Sequence, residues 1–227
     1  MATDGRRRVI VTVDGPAASG KSTLAKRLAK RANLRYLESG AFYRAAAWLA
    51  TQAGGDLNDP EWLAALLRST PVQVTPGEDR FYLAVAGQDI TQELRLPQIS
   101  QHASLVATLR PVRQWVLTEL RALGADGGLV AEGRDMGSRV FPEAEVKIYL
   151  DASLAVRAHR RWLELQAQGN KSSEAEVRRD MAQRDQRDRE RQEDPLRVPP
   201  GAHCLDSTAA DPDRMAEICF QLIQPFL

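Results

Sequence analysis

Residues 15–22 read Gly15-Pro16-Ala17-Ala18-Ser19-Gly20-Lys21-Ser22, which matches the G-x-x-x-x-G-K-S pattern of a phosphate-binding P-loop. The stretch before it, residues 9–13, is apolar and β-branched and predicts a buried strand. A helix is predicted after it, because small and apolar residues recur there at helical spacing: Leu24, Ala25, Leu28, Ala29 and Ala32. Strand, glycine-rich turn and helix therefore follow one another in the order that this motif requires.

The chemistry of such a loop is anion binding. Glycines let the main chain approach a phosphate closely, successive N–H groups point into the loop, and the N-terminus of the following helix adds positive potential. We expect the amine of Lys21 to reach the β- and γ-phosphates and the hydroxyl of Ser22 to contact Mg²⁺. The predicted nucleotide-binding residues are Gly15, Pro16, Ala17, Ala18, Ser19, Gly20, Lys21, Ser22 and Thr23. A nucleoside triphosphate is the first expected ligand, but the motif alone does not identify the reaction.

The length and composition of the chain limit the classes to which it can belong. With 227 residues, of which 43% are hydrophobic, it is predicted to form one domain or one core with inserted lobes. A formal net charge of +1 provides no overall basic field for a nucleic acid or a membrane surface. Cys204 and Cys219 form no C-x-x-C pair, which favours buried free thiols in a reducing compartment. We therefore expect a soluble, cytoplasmic monomer with neither a nucleic acid nor a membrane as partner.

Strand-like and helix-like segments alternate along the chain. Further strands are predicted at residues 34–37, 129–132, 146–150 and 203–206. Helices are predicted at residues 41–53, from 58 onward, and at 97–109, 111–123, 153–168, 173–194 and 213–224. This alternation predicts an α/β fold with a parallel sheet and right-handed connections. Residues 71–95 instead alternate apolar and polar side chains between turn residues, which predicts a small inserted antiparallel sheet.

Other classes of P-loop protein fit the sequence poorly. A GTPase needs an N-K-x-D motif to read the base, and the stretch Asn170-Lys171-Ser172-Ser173 lacks the final aspartate. A motor or remodelling ATPase usually has a strand that ends in paired acids, whereas residues 129–132 end in one, Glu132. The kinase branch remains.

A second phosphate ligand would need cations of its own, and the segment from Arg184 to Arg191 is rich in them. Arg184, Asp188 and Arg191 are spaced four and three residues apart, which predicts one shared helix face. Two guanidinium groups can clamp a phosphate while a carboxylate accepts from ribose hydroxyls. The alternative is a solvated helix surface crossed by salt bridges.

Several stretches, taken in order, resemble those of the bacterial cytidylate kinases, a family of nucleoside monophosphate kinases, along nearly the whole chain. They are Val13-Asp14-Gly15-Pro16 with the P-loop, Ser39-Gly40-Ala41-Phe42-Tyr43-Arg44, Gln88-Asp89-Ile90-Thr91, Glu132-Gly133-Arg134-Asp135-Met136-Gly137, Val140-Phe141-Pro142, Lys147-Ile148-Tyr149-Leu150-Asp151-Ala152, Arg184-Asp185-Gln186-Arg187-Asp188-Arg189 and Leu205-Asp206-Ser207-Thr208. The resemblance implies a three-layer P-loop NTPase fold with a five-stranded parallel sheet, an antiparallel insert in a monophosphate-binding lobe, and a helical lid. The expected single domain has its core at residues 1–38, 105–156 and 195–227, the lobe at 39–104, and the lid with the following helix at 157–194.

The resemblance also implies transfer of the γ-phosphoryl group of ATP, with Mg²⁺, to CMP or dCMP. It assigns Ser39 and Arg44 to the monophosphate, Ser104, Arg113 and Asp135 to the cytosine edge, Arg134 and Arg191 to the acceptor phosphate, and Arg184 and Asp188 to the sugar. The helix that carries Arg157 and Arg161 would belong to the lid over ATP. Glu38 departs from the family pattern, which more often has aspartate there.

Such a reaction requires two anions to approach each other. At about 4 Å and an effective dielectric constant of about 20, two unit charges repel by roughly 4 kcal/mol, so positioning and charge neutralisation are the expected sources of catalysis. The predicted catalytic residues are the charge-compensating side chains Lys21, Arg134, Arg157, Arg161, Arg184 and Arg191.

The choice of base depends on hydrogen bonding. Cytosine has an amino donor where uracil has a carbonyl, so a carboxylate such as Asp135 favours cytosine. The alternative role for Asp135 is a structural pair with Arg134. The alternative functions are a kinase for UMP or another small acceptor, and a nucleotide-dependent switch without an acceptor.

Overall fold

The computed structural model describes residues 8–76 and 81–227. Within these residues the strands are β1 (Ile10–Asp14), β2 (Arg35–Glu38), β3 (Val72–Pro76), β4 (Phe81–Val85), β5 (Gln88–Asp89), β6 (Leu129–Gly133), β7 (Val146–Asp151) and β8 (His203–Asp206). The α-helices are α1 (Lys21–Ala32), α2 (Ser39–Ala53), α3 (Pro60–Ser69), α4 (Pro97–Val106), α5 (Arg110–Gly124), α6 (Leu154–Ala167), α7 (Glu174–Glu190) and α8 (Pro212–Ile223). Short 3₁₀ segments lie at Glu93–Arg95 and Gln224–Phe226, and a π-helical turn lies at Met136–Val140.

Five strands form a parallel sheet in the order β2-β6-β1-β7-β8, which confirms the predicted α/β fold. Strand β6 is buried along its whole length, as expected where helices cover both faces of a sheet. The register pairs Asp14 with Gly133 and Glu38 with Glu132. The carboxyl ends of β1, β2 and β6 therefore lie side by side, and the segments that follow them meet at one edge.

Strands β3, β4 and β5 form a separate antiparallel sheet, which confirms the predicted insert. Leu83 and Val85 on β4 are buried and belong to the main hydrophobic core. The insert is thus packed onto the α/β body by one face. Residues 77–80 of this region and residues 1–7 lie outside the described residues.

Helices α6 and α7 have an apolar cluster of their own. Ala158 and Leu165 pack there against Val177 and Met181, next to residues 17 and 18 of the P-loop. A pair of helices with so few buried apolar side chains depends strongly on polar contacts for its position.

Several helix ends follow local sequence signals, and the end of α7 departs from them. Asp59 caps α3 by accepting from two main-chain N–H groups, and Ser173 forms a complete capping box with Glu176. Helix α7 was predicted to reach residue 194 but ends at Glu190, so Arg191 lies just beyond the helix. The chain folds back there, because the N–H of Leu196 donates to the carbonyl oxygen of Asp188 at 2.7 Å. No helix in the described part of the chain is long and apolar enough to cross a membrane.

The two cysteines are free thiols, but only one is buried. Cys219 on α8 is buried as predicted, whereas the prediction was wrong for Cys204, which is exposed because it lies on the edge strand β8.

Candidate nucleotide site

A cavity of about 500 Å³ opens at the carboxyl edge of the parallel sheet, where α/β sheets of this kind bind their ligands. This volume suits a small organic ligand. The predicted site residues that line it are Ala17, Ala18, Ser19, Gly20, Lys21, Ser22, Thr23, Ser39, Arg44, Ser104, Arg134, Asp135, Arg161, Arg184, Asp188 and Arg191. Among the described residues predicted for the site, Gly15, Pro16, Arg113 and Arg157 lie outside this lining.

The path of the P-loop depends on two glycines. Gly15 has a φ of 147°, and a Cβ there would lie 2.0 Å from the carbonyl oxygen of Leu150 on β7. Gly20 has a φ of 92° at the N-cap of α1. Both positions favour glycine for steric reasons. Ala18 also has a positive φ, 56°, so the loop holds one alanine in a conformation that its side chain disfavours.

Side chains hold the P-loop by its carbonyl oxygens. The oxygens of residues 16, 17 and 19 accept from Lys21 Nζ at 2.6 Å, Arg157 Nη1 at 3.2 Å and Ser207 Oγ at 2.8 Å, respectively. The N–H groups of residues 17–20, in contrast, donate to no acceptor within residues 8–76 and 81–227. Because α1 begins directly after them, these free donors and the helix N-terminus together form an anion site.

Lys21 lies at this anion site with 4% of its surface exposed. Burial, followed by the positive charge of Arg134, lowers the pKa of Lys21 to about 7. An amine in this state gains charge readily when an anion approaches, since a neighbouring negative charge favours the ammonium form.

The side-chain oxygens of Ser22 and Glu132, close to Lys21, could coordinate a cation. The hydroxyl of Ser22 donates to Oε1 of Glu132 at 2.6 Å, and the buried hydroxyl of Tyr36 approaches the same oxygen at 3.0 Å. Hydroxyl and carboxylate oxygens are the ligand types that Mg²⁺ accepts from a protein. The donor set therefore fits a magnesium ion that accompanies a triphosphate.

Asp14, the acidic residue at the end of β1, has a different environment. Its two carboxylate oxygens accept from the N–H groups of Met136 at 2.7 Å and Gly137 at 2.8 Å. Burial raises the pKa of Asp14 to about 7. Asp14 thus anchors the turn after β6, whereas Glu132 faces the cavity.

The far end of the cavity contains side chains of opposite charge. Arg134 Nε donates to Oδ2 of Asp188 at 2.9 Å, and Nη1 of Arg191 lies 3.8 Å from Oδ1 of the same carboxylate. Burial acts to raise the pKa of Asp188, but Arg134 and Arg184 outweigh it and hold that pKa below its usual value. Asp188 is therefore a charged acceptor among guanidinium groups rather than part of a solvated surface.

Asp135 and Arg113 form a buried ion pair at the base of this end. The alternative role predicted for Asp135 was a structural ion pair with Arg134. In the structure, Asp135 is paired with Arg113 instead, because Arg134 is paired with Asp188. Oδ2 of Asp135 also lies 3.9 Å from Nη2 of Arg191. Arg113 reaches the site through Asp135, which explains why it does not line the cavity itself.

The residues predicted for the monophosphate lie near the start of α2. Ser39 is buried over Gly133, where an added Cβ would lie 2.4 Å from the Ser39 hydroxyl oxygen. Arg44 is ion-paired with Glu38. Farther along the cavity, Ser104 on α4 accepts from Nη2 of Arg187 at 3.3 Å.

The three arginines predicted for the lid and sugar region differ in their partners. Arg157, 3% exposed, donates to carbonyl oxygens of residues 17 and 152 and to Oδ2 of Asp185 at 2.6 Å, so its guanidinium group is fully engaged by protein. Arg161 lines the cavity and donates to Glu164 at 3.1 Å. Arg184 also lines the cavity, and its buried Nε has no hydrogen-bond partner among the described residues. Loss of hydration and the nearby Arg134 lower the pKa of Arg184 to about 10.

Residues outside the predicted set also contribute to the site, among them Glu132, Tyr36 and Asp194. Glu132 lies one residue before the end of the buried strand β6, which is a usable sequence signal. Tyr36 reaches it from the neighbouring strand, and the link depends on the pairing of β2 with β6. Asp194 contacts Arg113 and Arg191 from a loop, and nothing in the sequence pattern indicates this.

The chain resembles known proteins over most of its length. A protein-family model described as cytidylate kinase matches residues 11–225. A bifunctional pantoate ligase/cytidylate kinase of Synechococcus elongatus is 45% identical over 195 residues, which cover 84% of this chain and 37% of the relative. This chain therefore spans well under half the length of such bifunctional relatives. A cytidylate kinase of Geobacillus kaustophilus is 39% identical over 218 residues, which cover 96% of this chain and 97% of the relative.

A comparison of structures agrees on the fold. The solved structure of an uncharacterized protein from Eubacterium ventriosum superposes with a TM-score of 0.53 at 11% identity, covering 95% of this chain and 98% of the other. Similarity at this level of identity concerns the fold alone.

Proposed function

Because the chain belongs to the cytidylate kinase family, we propose that it transfers the γ-phosphoryl group of ATP to CMP or dCMP and releases ADP with CDP or dCDP. One observation supports this above all. At one end, a single cavity has Lys21 and main-chain N–H groups that donate to no acceptor among the described residues, and at the other it has the guanidinium groups of Arg134, Arg184 and Arg191. Two anionic tails can therefore meet inside it.

On the donor side, the P-loop residues 15–23 bind the triphosphate of ATP. Lys21 contacts the β- and γ-phosphates and compensates the charge that develops during transfer. Ser22 and Glu132 would hold Mg²⁺, which supplies further neutralisation of the phosphate oxygens when it is bound. The carbonyl contacts from Arg157 and Ser207 keep the loop in shape for this role.

On the acceptor side, Ser39, Arg44, Arg134 and Arg191 bind the monophosphate. The phosphate oxygen that attacks is already a competent nucleophile, so no side chain has to remove a proton from it. Arginine suits this task because its planar guanidinium group contacts two phosphate oxygens at once. The cost of bringing two anions together is met by these cations and by Arg161 and Arg184.

The remaining side chains of the site bind the sugar and the base. Asp188 accepts from sugar hydroxyls beside Arg184, while Ser104 and Asp135 contact the cytosine edge and Arg113 acts on that edge through Asp135. The carboxylate of Asp135 accepts from the amino group of cytosine and opposes the carbonyl of uracil. An unpaired buried polar group costs about 1–3 kcal/mol, which is enough for a marked preference.

Helices α6 and α7 would close over ATP as a lid, with Arg161 moving toward the phosphates. Closure would exclude water and limit ATP hydrolysis. The division into core, monophosphate lobe and lid, the monomeric state, and the cytoplasmic setting with neither nucleic acid nor membrane as partner stay predictions.

A coupled assay of ADP formation tests the proposed activity. ATP and Mg²⁺ are supplied with CMP, dCMP, UMP, AMP or no acceptor. We expect ADP to form with CMP and dCMP, with a value of kcat/KM at least about tenfold above that for UMP. A preference for UMP would favour the UMP kinase alternative, and ADP formation that no acceptor increases would reject the kinase.

A further inference from the structure

The end of the cavity that contains Arg134, Arg184 and Arg191 is called the acceptor end from here on, and the opposite end with the P-loop is called the donor end. Asp194 lies behind the acceptor end, and its carboxylate contacts two arginines. Oδ2 accepts from Nε and Nη2 of Arg113, each at 3.3 Å. Oδ1 lies 3.2 Å from Nε of Arg139, whose side chain is half exposed. Asp194 itself does not line the cavity, so its effect on a ligand has to pass through these partners.

The main chain of Asp194 contacts a third arginine. Its carbonyl oxygen accepts from Nε of Arg191 at 2.8 Å and from Nη2 at 2.5 Å. Asp194 has a φ of 45°, in the left-handed region that few residues with a Cβ adopt. Aspartate is one of the residue types that tolerate this conformation. The loop closes on α7 where the N–H of Leu196 donates to Asp188.

We propose that Asp194 is a positioning residue, which holds Arg113 and Arg191 in the orientations that cytosine and the acceptor phosphate require. This inference rests on the proposed function. It adds a residue that contacts no substrate and that acts on both parts of the acceptor through one loop conformation.

The charges at this end explain why a second carboxylate is needed. Arg113 is paired with Asp135, and Arg191 lies 3.9 Å from the same carboxylate oxygen. Without Asp194, both guanidinium groups would turn to Asp135 as their nearest anion. Asp135 would then be less able to accept from the amino group of cytosine, so discrimination against uracil would fall along with affinity.

Different substitutions at Asp194 distinguish the role of its carboxylate from the role of its backbone conformation. Asp194→Gly removes the carboxylate but favours the positive φ and keeps the carbonyl contact to Arg191. Asp194→Ala removes the carboxylate and also strains the backbone, and Asp194→Asn keeps an oxygen acceptor without the charge. Glu193→Ala is the matched control, since Glu193 is in the same loop and its carboxylate lies 3.8 Å from the exposed Arg110.

We expect Asp194→Gly to raise KM for CMP about tenfold and to lower the ratio of kcat/KM for CMP over UMP about fivefold. KM for ATP and kcat should change less than about twofold, since the P-loop is untouched. Asp194→Ala should raise KM for CMP and UMP further, because Arg191 also loses its carbonyl partner. Asp194→Asn should lie between wild type and Asp194→Gly, and Glu193→Ala should match wild type.

The steady-state constants are measured together with melting temperature and calorimetric CMP affinity. If Asp194→Gly binds CMP and rejects UMP as wild type does, Asp194 has no positioning role, although the kinase function stands. Equal losses for ATP and CMP alongside a lower melting temperature would indicate a merely structural residue and would equally overturn the inference. If wild type neither binds nor phosphorylates CMP, the proposed function and this inference fail together.

Discussion

The two ends of the cavity present positive charge in different ways. At the donor end, the main-chain N–H groups of residues 17–20 find no acceptor in the part of the chain that the structure describes, and Lys21 is the one side-chain cation of residues 15–22. At the acceptor end, guanidinium groups are interleaved with the carboxylates of Asp135 and Asp188. The first arrangement depends on the path of the backbone, and the second depends on ion pairs that share partners.

This difference has an energetic consequence. Lys21 donates to a neutral partner, the carbonyl oxygen of residue 16, and burial lowers its pKa, so a phosphate would supply an opposite charge that this partner does not. Arg134 already donates to Asp188, so a ligand there has to share or replace an existing contact. We therefore expect single substitutions at the donor end to act mainly on turnover, and those at the acceptor end to act mainly on affinity and selectivity.

The largest effect is expected for Lys21→Ala. Removing this cation should lower kcat on the order of 10²–10³-fold, since charge on the transferred phosphoryl group loses a preorganised partner. Lys30→Ala, an exposed lysine in the last turn of the same helix, is the control and should retain wild-type turnover. Both variants are measured in the ADP assay with saturating CMP. A kcat for Lys21→Ala within about threefold of wild type would remove Lys21 from the catalytic set.

A pair of arginine variants tests whether Arg157, whose guanidinium group has three protein partners, differs in role from Arg184. Arg157→Ala leaves Asp185 buried without its cation and should lower the free energy of unfolding by about 3–5 kcal/mol. Arg184→Ala removes a cation whose Nε has no partner in the described part of the chain. It should leave stability unchanged or raised while kcat falls by about tenfold or more.

Chemical denaturation and the ADP assay separate the two variants, and Arg189→Ala on the exposed side of α7 serves as the control. If Arg157→Ala proved fully stable but inactive, Arg157 would act on the nucleotide directly, as the sequence resemblance implies. If Arg184→Ala were destabilised, Arg184 would have a structural role.

The donor end could be predicted from the sequence because its information is contiguous. One motif of eight residues, with a strand before it and a helix after it, specifies the loop, its lysine and the strand edge at which it lies. The positive φ of Ala18 and the carbonyl contact from Ser207 could not be predicted, since both depend on how the loop packs against distant segments.

The acceptor end could be predicted only through family resemblance, because its residues come from separate helices and loops. Sequence spacing placed Arg191 on the face of α7, but that helix ends one residue earlier. Arg191 instead lies in the loop after the helix, where the carbonyl oxygen of Asp194 accepts from its guanidinium group and Asp188 lies close to it. Which carboxylate pairs with which arginine is a tertiary property, and the partner of Asp135 illustrates this.

A smaller effect is expected where β2 supports the donor end. Tyr36→Phe removes the hydroxyl that approaches Glu132 at 3.0 Å, while Ser22 still donates to that carboxylate. The lost hydrogen bond should raise the Mg²⁺ concentration for half-maximal activity about fivefold, with kcat at saturating Mg²⁺ changed less than about twofold. Binding of Mn²⁺ with ATP, followed by electron paramagnetic resonance, should weaken in parallel.

Tyr82→Phe, on the exposed side of the inserted sheet, is the control for Tyr36→Phe. Unchanged Mn²⁺ binding in Tyr36→Phe would show that the hydroxyl only fills space, and a loss of melting temperature without a change in metal dependence would lead to the same conclusion.

The smallest effect concerns protons rather than rates, and it tests the electrostatic difference between the two ends directly. Burial and the cations Arg134 and Arg184 favour the neutral amine of Lys21, whereas Glu132 and Asp14 favour its charged form, with a pKa of about 7 as the result. Bound ATP adds negative charge and raises this pKa. At about pH 8, ATP binding should therefore take up roughly half a proton or more, and the uptake should vanish toward about pH 6, where the amine is already charged.

Calorimetric titrations of ATP in two buffers of different ionisation enthalpy measure the proton uptake. Lys21→Arg supplies the matched variant, because a guanidinium group stays charged across this range and should take up no proton. CMP should bind without comparable uptake, since the acceptor arginines keep their charge before and after binding. Equal uptake by wild type and Lys21→Arg would place the titrating group elsewhere, with Asp14 and its pKa of about 7 as the alternative.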